Sequence, residues 1–459
     1  MRTQRKLLLL LAAVAAPEAA AQQVTAFAGG TLLNPGAAPV RDAVVIVRGG
    51  RIACAGTRAR CPIPAGARRV DLGGTFVTPG LIDAHVHYSQ TGWVDGRPDA
   101  LDLRAELPYE TTVGRLRADP ARFHRAWLCS GVTSVFDVGG YTWTFDLARS
   151  TREAVDAPRV VAAGPLLSTI DHWVNLPTMR QFVHMRSDSV TIAAVRAQAA
   201  TGAEAIKVWY IDLPDSARAK MRPFLERAGQ EAARAKLPLL VHATELRTAR
   251  EALAAGATVL VHSVERDTID QEFIALARRN GTTVIPTLTV HQGYEDVFLG
   301  RSPASRYPLD CVDPDTRAKL ERAIPEERRR AHAQYARSGA MSRSRPTMEE
   351  NLRRLRAAGI AIAMGTDAGN PGTAHGPSIH HEMEAMQRAG MTAAEVLASA
   401  TIVAARAMGL AGETGSVEPG KRADLAVFDA DPTVDIANAR RLRMVVRNGR
   451  VHPRRDLLP

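Results

Sequence analysis

Between Leu81 and Leu410, eight short apolar runs alternate with amphipathic stretches of helical period, and this repetition constrains the fold more than any other feature of the chain. The runs lie near 81–87, 132–137, 159–163, 204–209, 238–243, 258–263, 283–287 and 360–365. Eight strands, each followed by a helix, point to a closed parallel barrel with the helices outside. In such a barrel the C-terminal ends of the strands carry the chemistry. The segment from Tyr307 to Arg345 is longer, charged and mostly helical, and reads as an insertion before the eighth strand with no assigned chemistry.

The two ends of the chain have a different texture. From about Val24 to Thr78, and again from about Gly415 to His452, β-branched runs are broken by Gly, Asn and Pro, which is the pattern of hairpins. Each set has an apolar face that needs covering, and the simplest cover is the other set. The expected architecture is therefore α/β: a (β/α)8 TIM barrel over 80–412, with a small β-sandwich built from 22–79 and 413–459. A length of 459 residues suits one barrel-sized domain plus a smaller one.

Arg2, Arg5 and Lys6 precede an apolar run from Leu7 to Ala16, and Ala19-Ala20-Ala21 supplies small residues for cleavage before Gln22. These are the parts of a secretory signal over 1–21, which places the mature protein in the periplasm or outside the cell. No other segment is apolar enough to cross a membrane. The formal charge of +11 comes from scattered arginines, densest at Arg328 to Arg330, so nucleic-acid binding is not expected. Self-association into a homo-oligomer stays open. Of the four cysteines, Cys54 and Cys61 are close enough for a local bridge, whereas Cys129 sits in an apolar helix and reads as a buried, inert thiol. A cysteine zinc site is not supported, because no CxxC pair occurs.

Chemistry-bearing residues recur at the ends of the apolar runs. The first ends in His85-Val86-His87, and alternation along a strand puts both imidazoles on one side, with Cα atoms about 6–7 Å apart, which suits a metal ion. The fourth carries Lys207, which calls either for a buried salt bridge or for a neutral amine that adds CO2 to become a bridging carbamate. The fifth and sixth end in His242 and His262, and the eighth in Thr366-Asp367. Asp367 reads as a metal-binding carboxylate or as a helix cap. Together the set offers nitrogen and oxygen donors without a thiolate, suited to zinc, manganese, cobalt or iron.

With those residues in place, the sequence resembles the amidohydrolase superfamily, in the branch of prolidase-like and Xaa-Arg dipeptidase-like enzymes. The matching text includes the run from Thr78 to His87, Gly131-Val132-Thr133-Ser134-Val135 with Asp137, Gly202 to Val208, Gly365-Thr366-Asp367-Ala368-Gly369, and the tail from Gly415 to Leu425. The resemblance implies two divalent ions, of zinc type. His85, His87 and Asp367 would hold the more buried one and His242 and His262 the more exposed one, with carboxylated Lys207 between them. It further implies a metal-bridging hydroxide as nucleophile and Asp367 as the catalytic group that passes its proton to the leaving amine. Trp209, Tyr210 and Ser263 depart from the family text on the substrate side. Tyr210, His172 and His291 are the expected substrate contacts.

The function expected is therefore hydrolysis of a C–N amide bond in a small peptide or N-acyl amino acid. One rival is a mononuclear deaminase or cyclic-amide hydrolase of the same superfamily, suggested by Glu245 three residues after His242. A second is lactone or phosphotriester hydrolysis on the same centre. A third is a barrel kept only as a binding scaffold, which the full donor set argues against.

Overall fold

The computed structural model describes residues 24–459 apart from 323, 340 and 341, so the signal-like segment 1–21 lies outside the described residues. Barrel strands one and two are Leu81–Val86 and Val132–Asp137. Strand three is Arg159–Ala162, resumed as Leu166–Ser168. Strands four to eight are Ile206–Trp209, Leu239–His242, Val259–Val261, Thr283–Ile285 and Ala361–Ile362. Neighbours pair in parallel from one to three and from the resumed third strand to the eighth. The third run, read as one strand, is broken at Gly164, whose φ of +74° turns the chain between its two halves.

Two backbone joins close the ring. Glu204 N donates to Ala162 O at 3.0 Å between strands three and four. Between eight and one, Ala84 N donates to Met364 O at 3.0 Å, Asp367 N to His85 O at 2.8 Å and His87 N to Ala368 O at 2.8 Å. A closed sheet has no free edge.

The period-two alternation of each strand sorts its side chains into two layers. Ala205, just before strand four, and Leu240 of strand five belong to the cluster filling the barrel interior, together with Ile82, Phe136 and Ile285. Ile206, Val208, Leu239 and Val241 face the surrounding helices. The segment from Ala404 to Leu410 joins the interior cluster.

The two ends of the chain do meet. Phe76–Pro79 pairs antiparallel with Leu425–Phe428 on one side and parallel with Val24–Leu32 on the other, within one eight-stranded sheet. Arg447 fastens this sheet to the barrel. Its guanidinium is fully buried, lies 3.1 Å from Asp424, and donates to the carbonyls of Ala157 at 2.9 Å and Thr151 at 3.1 Å.

All four cysteines are paired. Cys54 is bridged to Cys61, as their spacing allowed. The reading of Cys129 as a free thiol is corrected: it forms a disulfide with Cys311, 182 residues away. Helical burial concealed this bond, because the helix Arg122–Cys129 ends against the start of the insertion only in the folded chain. The insertion itself is helical over Pro314–Glu321 and Glu326–Arg337, ahead of the helix Arg345–Ala357. Its arginines are largely engaged: Arg328 lies 3.0 Å from Glu106, and Arg329 donates to the carbonyls of Ile324 and Phe298. No helix among the described residues is long and apolar enough to cross a membrane.

Removing one member of a buried ion pair leaves the other uncompensated, at a cost of about 3–5 kcal/mol. Arg447→Ala is expected to destabilise the protein by that amount, read as a lower midpoint in denaturant unfolding. An unchanged midpoint counts against Arg447 as the fastener between sheet and barrel.

Candidate functional site

Five strand ends deliver their polar side chains to one cavity of about 410 Å³ at the barrel mouth, lined by His85, His87, Lys207, His242, His262 and Asp367. His85 Nε2 and His87 Nε2 stand 3.2 and 3.0 Å from the same Asp367 oxygen, Oδ1. Ligand atoms of His85, His262 and Asp367 lie within 4.8 Å of one another. The ring of His262 is 4.9 Å from that of His85 and 4.6 Å from that of His242.

The backbone works to hold these positions. His262 and Asp367 have φ of +73° and +62°, and Thr287 beside them has +45°. Left-handed backbone at such residues costs on the order of 1–3 kcal/mol each and gathers at functional sites. Gly365 allows the eighth strand to approach, since a Cβ there would stand 2.5 Å from Ile285 Cγ2 and 2.8 Å from His85 Cβ.

Outer partners fix the imidazoles. His87 Nδ1 is 2.7 Å from the carbonyl of Gly139, and His262 Nδ1 is 2.7 Å from Thr287 Oγ1. A carbonyl only accepts, so Nδ1 of His87 carries a proton, which leaves Nε2 facing Asp367 Oδ1. A divalent cation could be shared by His87 Nε2, His85 Nε2 and Asp367 Oδ1. The donor set thus fits a divalent metal, with imidazoles oriented by hydrogen bonds behind them.

Electrostatics agree with that fit. Burial lowers His85 to about 4 and, with Lys207 nearby, His242 to about 3; burial and His242 hold His262 well below its usual value. All three are therefore neutral and able to bind a cation at pH 7. Burial acts to raise Asp367, but His85 and His87 hold it well below the carboxylate range, so it is anionic. Lys207 is 2% exposed and makes no hydrogen bond or ion pair among the described residues, so the salt-bridge reading finds no partner. Burial lowers its amine to about 7 against the pull of Asp367, which leaves much of it neutral at that pH.

The substrate contacts are placed differently from expectation. His291 lines the cavity, with Nε2 2.8 Å from Glu265. Tyr210 does not, and that expectation is corrected: one residue beyond inward-facing Trp209, it turns towards the helices and donates to Glu251 at 2.5 Å. His172 also stands behind the wall, stacked on Phe182 at 4.6 Å with Nε2 3.7 Å from Asp99. Glu245 is outside the lining and 3.8 Å from Arg266.

Several lining residues were missed in the sequence. Arg97 forks onto Asp99 at 2.9 and 2.8 Å and also bonds Asn370, which accepts from Tyr294 at 2.6 Å. No motif marks Arg97, Asp99, Asn370 or Tyr294. Glu265 had a signal, since His262-Ser263-Val264-Glu265 repeats the spacing of His242-Ala243-Thr244-Glu245 one strand later.

The profile of the Amidohydrolase family matches residues 76–452. The chain belongs to the Amidohydrolase family. It is accordingly a hydrolase of carbon–nitrogen bonds, of the amide or peptide-like class. An imidazolonepropionase of Caulobacter vibrioides is 28% identical over 426 residues, covering 86% of this chain and 90% of that protein. A 5-methylthioadenosine/S-adenosylhomocysteine deaminase of Symbiobacterium thermophilum is 26% identical over 431 residues, covering 88% and 84%. Among solved structures, a Xaa-Pro dipeptidase with bound methionine superposes with a TM-score of 0.70 at 21% identity, covering 94% of this chain and all of that one. Phenylurea hydrolase B gives 0.71 at 23% identity, covering 94% and 97%. These two share the fold: a TIM-barrel amidohydrolase carrying a sandwich of N- and C-terminal strands.

Loss of a hydrogen bond behind a metal-binding imidazole typically costs about 10–100-fold in metal affinity. Thr287→Val should show that loss in a zinc titration against a competing chelator. Wild-type affinity in this variant would remove Thr287 from the site.

Proposed function

We propose that the protein is an exported, binuclear metal-dependent amidohydrolase that cleaves the C–N bond of a small peptide or N-acyl amino acid. The observation that carries this reading is the meeting of Lys207, partly neutral and without an ion pair among the described residues, with four histidines and Asp367 in one cavity. His85, His87 and Asp367 would hold one ion and His242 and His262 the other, with Lys207 as carbamate between them. Such ions, of which zinc suits the donors best, supply Lewis acidity towards a carbonyl oxygen and lower the pKa of water.

The chain's own residues supply the rest. Asp367, anionic at neutral pH, accepts a proton at its carboxylate and returns it to the departing amine nitrogen. Trp209, Phe182 and Val174 form an apolar wall that excludes water, and the Arg97–Asp99 pair with Asn370 gives the cavity a fixed polar side. Export is supported by the signal-like segment 1–21 and by both disulfides, which form and persist in oxidising compartments.

The second reading, a cyclic-amide hydrolase, draws on the nearly full-length similarity to imidazolonepropionases. The position of Glu245 outside the cavity lining counts against the mononuclear deaminase-like form of it.

Elemental analysis of the purified protein is expected to find about two divalent ions per chain, lost on chelation together with amide hydrolysis. Lys207→Ala should lose most of that metal. Retention of both ions would remove the carbamate from the reading, and turnover of cyclic amides far above linear ones would favour the second. Asp367→Asn is expected to lower kcat by about 10²–10⁴-fold, the usual worth of acid–base catalysis, in a steady-state assay.

A further inference from the structure

Glu265 and His291 line the active-site cavity and also a second cavity of about 540 Å³. The rest of this outer chamber comes from Arg266 after the sixth strand, and from Tyr335, Arg343, Ser344 and Thr347 of the segment before the eighth. Its one carboxylate is already engaged, with Glu265 2.8 Å from His291. Arg266 reaches Glu245 only at 3.8 Å, with its side chain 79% exposed. The Arg343 side chain is exposed and has no ion pair among the described residues. The chamber therefore combines two available guanidinium groups with a carboxylate held by His291, and Tyr335, 55% exposed, lies at its side.

We propose that this chamber is a distal subsite that binds a carboxylate at the far end of the substrate while the scissile bond lies at the histidine cluster. The inference rests on the hydrolysis reading above and extends it: substrates run past the Glu265–His291 pair and end in an acidic group. Guanidinium forks match a carboxylate in shape and charge. Because the arginines are exposed, their effect is modest and sensitive to salt.

The test uses two amide substrates that differ only in a distal Glu or Gln side chain, together with a short substrate lacking that residue. Wild-type enzyme at low salt should favour the Glu form by about 3–10-fold in kcat/KM, mainly through KM, in keeping with one or two exposed charge pairs. The preference should vanish near ~1 M salt, where screening acts within ~3 Å. It should disappear or invert in Arg266→Glu/Arg343→Glu, with the short substrate unaffected. Equal turnover of the two forms, or a preference that survives charge reversal, overturns the subsite. Calorimetric titration with glutarate and with its diamide separates the two readings. If no amide is hydrolysed, hydrolysis fails, while glutarate binding that is lost in the double variant still upholds the subsite, and binding equal in both proteins overturns it.

Discussion

The seam between the eighth and first barrel strands holds the site together. Asp83, fully buried, accepts from Thr366 Oγ1 at 2.6 Å, Thr366 N at 3.0 Å and His85 N at 3.2 Å. Burial raises its carboxyl to about 7, against these hydrogen bonds. The same seam carries the bond from Asp367 N to His85 O, which ties the backbone of Asp367 directly to the strand that carries His85. Without it, His85 and His87 on one strand and Asp367 on another have no reason to share a single oxygen at 3.2 and 3.0 Å.

Around that seam the protein concentrates conformational and electrostatic cost. Left-handed backbone at His262, Thr287 and Asp367, and a buried lysine without an ion pair among the described residues, are each unfavourable in a core. They persist because the surrounding structure overdetermines them. Glu382, for example, accepts from the amides of Leu288 and Thr289 at 2.7 and 2.9 Å and so fixes the chain just beyond Thr287. A cation at the cluster turns these costs into binding, since neutral imidazoles and an anionic carboxylate are already in the ligand form.

The periphery is fastened by different means. Arg447 ties the small sheet to the barrel, and the Cys129–Cys311 bond ties the insertion to the helix after strand one. Tyr307, just ahead of Cys311, donates to Gly372 O at 2.8 Å and so braces the loop that follows Asp367. The insertion thereby shapes the approach to the cavity as well as the outer chamber.

Strand count, the barrel, the paired ends of the chain and the six polar residues at strand ends were legible in the sequence, because strand alternation and end position are local properties. Local pattern could not reveal Arg97 or Asn370, which reach the cavity from separate loops, or Tyr294 on the helix Val290–Leu299, nor the partner of Cys129. The orientation of Tyr210 was in principle legible, since Lys207 and Trp209 face inward and period two turns the next residue out. The sequence alone thus determined which chemical groups the barrel mouth holds, and tertiary structure decided which loop residues surround them. Strand periodicity is written into consecutive residues, whereas loop positions follow from contacts between segments far apart in the chain.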